Sequence, residues 1–138
     1  MKNLITAICL IAVSSLTWAA EIETLEIKCV APTNFAGQSA KVNGVLTLKK
    51  RTDLPAYARE AIGNLSIKIG GSSASPIYDN DSVSLVGQYE KVGEIEYVVL
   101  ESRPAKDIIV SVFFTEQIGS YVDYEGAQYP MSCTKVKK

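Results

Sequence analysis

The sequence predicts an all-β protein, an antiparallel barrel or sandwich of about eight strands with one short helix. Three observations lead there. Short runs rich in β-branched and aromatic residues recur along the chain, separated by clusters of Gly, Pro, Asn, Asp and Ser. Apolar and polar residues alternate within many of those runs, the period of a strand with one wet face. Two cysteines, Cys29 and Cys133, lie near opposite ends of the chain, which suits a sheet whose first and last strands meet.

The centre of the pattern is Ile95 to Phe114, two β-rich runs around the polar break Ser102 to Asp107 with its Pro104. This reads as a hairpin. Ile108, Val110, Val112 and Phe114 share one face; Ile109, Ser111, Phe113 and Thr115 make a mixed opposite face. Before it, Glu21 to Val30 is a strand on the alternation of Leu25, Ile27 and Cys29, and Ala31 to Ser39 is a loop. Lys41 to Lys49 is a second strand, with Gly44 marking a bulge or tight bend.

The expected helix is Arg51 to Gly63. Thr52 or Asp53 supplies an N-cap, Pro55 fits the first turn and Gly63 fits just past the end. Leu54, Ala58, Ala61 and Ile62 would face the sheet, and Arg59 and Glu60 the solvent. Strands resume at Asn64 to Ile69. Gly70 to Ser75 reads as a flexible loop, without the lysine of a phosphate-binding loop, and Pro76 to Asp81 closes it. Val83 to Tyr89 is a strand and Glu90 to Gly93 a turn into the central hairpin. After a turn over Glu116 to Ser120, Tyr121 to Tyr124 and Gln128 to Val136 form a last hairpin.

The first 19 residues read as a cleaved signal peptide of bacterial type. Lys2 is the positive start, Leu4 to Val13 the apolar stretch, and Thr17-Trp18-Ala19 the small-residue site, with Ala20 as the other cleavage point. The apolar run is shorter than the about 20 residues that span a bilayer. Residues 20–138 then form one secreted domain, periplasmic or extracellular, with no membrane insertion after processing. Removing Lys2 from 14 basic residues leaves 13 against 15 acidic ones, a net charge of −2. No basic field attracts nucleic acid.

Export also fixes the meaning of the cysteines. Cys9 leaves with the signal peptide, so Cys29 and Cys133 pair with each other where disulfides persist. On the chain-entropy account, closing so long a loop is worth roughly 4.7 kcal/mol.

The chain has no histidine, which removes the commonest general base and metal ligand. No catalytic residue, metal site or cofactor is expected. Glu94, Glu96 and Glu101 leave a carboxylate-dependent hydrolase as the weakest alternative; Glu94 and Glu96 at i and i+2 read as a solvated face. Asp79-Asn80-Asp81-Ser82 gathers oxygen donors, but Ser84 stands where a calcium loop needs its glycine, so the stretch reads as a turn. Tyr121, Tyr124 and Tyr129 cluster around a glycine turn and form the candidate binding surface. The Gly70 to Asp81 loop is a second candidate.

Size, export and the cysteine bracket resemble, as architecture only, the small periplasmic β-barrel inhibitors of lysozymes; the resemblance carries over no site residue. The function expected is a non-catalytic binding protein with a protein partner, an inhibitor of another protein being one form of it. The alternative is a barrel holding a small apolar ligand or glycan, which large aliphatic side chains filling the interior would argue against.

Overall fold

The computed structural model describes residues 22–70 and 76–136. The expected signal peptide and the loop residues 71–75 lie outside them. The described residues form eight strands: β1 (Ile22–Val30), β2 (Ser39–Lys49), β3 (Ala58–Gly70), β4 (Tyr78–Val92), β5 (Ile95–Ser102), β6 (Ile108–Phe113), β7 (Ser120–Tyr124) and β8 (Ala127–Lys135). Each pairs antiparallel with the next, and β8 returns to β1, closing an up-and-down barrel. Closure removes the sheet edges that an open sheet would have to protect. Of barrel and sandwich, the chain adopts the barrel.

The seam is stapled. Cys29 stands directly opposite Cys133 in the β1–β8 register, with Cα atoms 4.0 Å apart and an S–S bond of 2.05 Å across 104 residues of sequence. Such a bridge is compatible with an oxidising compartment.

The period-two alternation sends Ile27, Val42, Leu46, Leu65, Ile67, Leu85, Val98, Leu100, Val110, Val112 and Val122 inward, each 1% exposed or less. An eight-stranded barrel is just wide enough for its side chains to fill it. Large residues meet small ones across the interior. A Cβ on Gly63 would lie 2.6 Å from the Val45 carbonyl and 3.0 Å from Leu46, and one on Gly87 would lie 1.8 Å from the Val99 carbonyl. Gly44 has φ +145°, a conformation that side chains rarely adopt. The β1–β2 and β2–β3 registers run through it unbroken, so it is a bend and not a bulge.

The expected helix at Arg51 to Gly63 does not form, and no helix occurs among the described residues. Arg51–Tyr57 makes turns, with Leu54 N–H donating to the Arg51 carbonyl and Ala58 N–H to that of Pro55. From Ala58 the chain is already β3. Asp53 does not cap a helix but holds Arg51 at 2.7 Å, whose other nitrogen meets Glu60 at 2.6 Å. The small residues Ala61 and Gly63 look helical in sequence, yet they are small because Leu46, Leu48, Leu85 and Gly87 approach them in the barrel. Ile62, expected inside, is exposed on the outer face.

The strand expected at Val83 begins earlier, at Tyr78. A register shift between Leu65 and Ile67 lets β4 resume pairing from Asn80 back to Tyr78, so Asp79-Asn80-Asp81 belongs to a strand and not to a turn. The central hairpin forms as expected. Its polar break is tied by the buried Ser102 hydroxyl, which donates to Asp107 (2.8 Å) and accepts the Ile108 N–H (3.1 Å).

Candidate binding face and its neighbouring cleft

Tracing alternation through the ladders separates the three tyrosines. Val122 and Tyr129 are partners, as are Tyr121 and Pro130. Tyr124 and Tyr129 therefore share the inner face of Val122 and pack against the core. Tyr124 meets Tyr78 with ring centroids 5.1 Å apart. Tyr121 points outward, on the opposite face. The expected cluster is thus two inner residues and one outer one. The rule that splits it is elementary: positions three apart on a strand face opposite ways.

On the outside Tyr121 joins a different group. Ser111 opposes Tyr121 on one side and Val99 on the other. Phe113 is paired with Tyr97, and their rings stack at 5.5 Å, 26° apart. Ile109 follows Ser111 on the same face, 40% exposed, beside Val99 at 37%. These side chains surround Ser111 closely enough that it is only 4% exposed although it points outward. Tyr97 also donates its hydroxyl to Glu90, a hydrogen bond that heads the causes raising its pKa above the ordinary tyrosine value. The outer face of β5–β7 thereby carries an apolar and aromatic patch, bounded by Glu101 and Asp123 on either side of Ile109, the composition that marks recognition surfaces. The outer face of β1–β3 is mixed but not aromatic: Thr24, Glu26, Lys28, Asn64, Ser66 and Lys68 stand beside the exposed aliphatics Ile22, Val30, Val45 and Ile62.

Beside this patch the barrel wall is incomplete. β7 has five residues and β8 nine. Their ladder ends at Ser120 and Met131, while β8 runs on along β1 to Lys135. The lane left between the end of β6 and β8 is a cleft of about 570 Å³, lined by Phe113, Phe114, Ile118, Pro130, Met131 and Lys135 among others.

The cleft adjoins the barrel mouth where β8 ends, and there sits a half-buried ion pair, Glu96 with Lys135. Glu96 faces inward, its side chain 12% exposed. It accepts from the Tyr89 hydroxyl at 2.5 Å and from Lys135 Nζ at 2.8 and 3.1 Å. Lys135 Nζ also lies 5.6 Å from the Phe114 ring centre. Burial opposes ionisation of Glu96, but Lys135 and Tyr89 outweigh it and hold the carboxyl below its usual range. Burial, then the hydrogen bond to Glu96, raises Tyr89. Both Glu96 oxygens are engaged, so the set acts as a latch holding the end of β8 to β5.

The three carboxylates singled out in sequence are not brought together. Glu94 lies in the β4–β5 turn, Glu96 faces the mouth, and Glu101 faces out, paired with Arg103 at 2.8 Å. Sequence pattern alone does not mark Tyr97 or Lys135; the mixed face Ile109, Ser111, Phe113 is the available signal for Phe113. Among the described residues, no three Asp, Glu, Cys or His side chains are placed to hold a metal ion. No protein-family model, curated protein or solved structure matches this chain.

Proposed function

We propose that this protein is an exported, non-catalytic binding domain that docks another protein, an enzyme to be inhibited being one such partner, on the outer face of β5–β7. The observation that carries the reading is the aromatic patch of Tyr97, Phe113 and Tyr121 around Ser111. Rigid aromatic area with polar tips is what hot spots of protein interfaces are made of. The sequence features of export and the stapled seam support a periplasmic or extracellular setting. The alternative of a ligand held within the barrel is disfavoured by the interior, which Leu46, Leu65, Leu85 and Leu100 fill.

Affinity capture tests the reading. The oxidised mature protein is immobilised and exposed to periplasmic and culture-supernatant proteins of its source. The expected result is a stoichiometric partner retained by the native face and lost when Tyr97, Phe113 and Tyr121 are all changed to Ser. A partner retained equally by that variant, or none above background, contradicts it.

A further inference from the structure

We infer that the cleft beside β8 receives an extended peptide segment of the partner, which adds to the sheet as a strand in the lane that β7 leaves empty. The inference rests on the proposed protein-binding role and specifies its chemistry.

The backbone of β8 carries the argument. Val136 N–H donates to the Glu26 carbonyl at 2.9 Å, so the groups of Val136, and by alternation those of Thr134 and Ser132, point to β1. The N–H and C=O of Cys133 and Lys135 point the other way, into the lane. The β7–β8 ladder has ended at Met131, and no backbone group among the described residues meets them. Two donors and two acceptors in line along an edge are complementary to another peptide backbone.

By register β6 ends at Phe113 level with Ser132, so beyond that point the far wall of the cleft is the β6–β7 connection, Phe114 to Gly119, and not another strand. A second copy of this protein is a poor occupant, because its own β8 edge is recessed in the same way. The side chains define the segment further. Phe113, Phe114 and Ile118 offer apolar contact. Lys135 is committed to Glu96, whereas Glu116 at the rim has no ion pair among the described residues. The segment is therefore extended, mainly apolar, and carries a Lys or Arg that reaches Glu116. The disulfide holds this edge in place, since Cys133 is bonded through its side chain to β1 while its backbone faces the lane.

The test begins with selection of a displayed random octapeptide library on the oxidised protein. Enrichment of peptides alternating apolar residues, with a basic residue toward one end, is expected. An enriched peptide added to the ¹⁵N-labelled protein should shift the Cys133 and Lys135 amides and protect them from exchange, with Ser132 and Thr134 little changed. Lys135→Pro and Lys135→Met lose the same side chain, but only Lys135→Pro also removes an N–H from the lane, so it should bind that peptide about tenfold more weakly than Lys135→Met. If Lys135→Pro does not fold, N-methylation of alternate amides of the peptide makes the same cut from the other side. No enrichment, equal binding by Lys135→Pro and Lys135→Met, undiminished binding of the N-methylated peptide, or binding that saturates by self-association overturns the inference. A partner captured through Tyr97, Phe113 and Tyr121 while the lane stays unused leaves the binding role standing without strand addition; failure of that capture removes the role itself.

Discussion

The β5–β6 hairpin has two faces made of similar residues and used differently. Inside, Val98, Leu100, Val110 and Val112 are fully buried in the barrel. Outside, Val99, Ile109 and Phe113 are as apolar, yet they and Tyr97 stay half-buried to exposed. Hydrophobicity alone therefore does not separate core from surface here; register does. The inner residues should carry stability and the outer ones recognition, and each prediction below sets one face against the other.

The largest effect is expected inside. Leu100→Ala removes a fully buried side chain facing Gly87 and Val110 and should cost about 2–5 kcal/mol, measured as a lower denaturant midpoint. Partner affinity per folded molecule should stay unchanged. The turn that joins the faces comes next. Ser102→Ala leaves Asp107 and the Ile108 N–H without their partner and should cost about 1–3 kcal/mol by the same measurement.

The latch at the mouth gives a smaller, pH-dependent effect. Glu96 is held below its usual pKa, so its ionised form favours the folded state. That contribution is fully present above the unfolded value, about 4.3, and is lost as pH falls through the lower folded value. Lys135→Met should flatten this acid-side loss in melts taken across that range. A mutant that keeps the native acid profile would show that Lys135 is not what holds Glu96.

The smallest stability change is expected on the outer face. Changing Tyr121 to Ser removes cross-strand contacts to Ser111 and Pro130 worth about 0.2–1 kcal/mol, while weakening partner capture sharply. A large loss of stability instead would mean that the patch is structural, and the contrast between the faces would disappear.

Much of the barrel was legible in the sequence because alternation survives wherever one face is buried, as at Leu25-Ile27-Cys29 and Ile108-Val110-Val112. The pairing of Cys29 with Cys133 was legible because these are the two cysteines outside the expected signal peptide. The stretch Arg51 to Gly63 misleads because Pro55, Ala61 and Gly63 have the positional preferences of a helix, whereas Ala61 and Gly63 are small because Leu48 and Leu46 lie opposite them. The tyrosine grouping misleads because nearness in sequence is not nearness in space: Tyr121 and Tyr124 differ in parity along β7. The empty lane beside β8 had no sequence signal. It depends on where the β7–β8 ladder stops, a property of register across three strands.

Photo-crosslinking from two outer positions tests the central claim most directly. A benzoylphenylalanine is placed at Tyr121 in one sample and at Lys28, on the outer face of β1, in another, each illuminated with the captured partner bound. The account predicts a covalent adduct from position 121 and none from position 28. An adduct from position 28 alone, or equal yields from both, would contradict docking on the β5–β7 face.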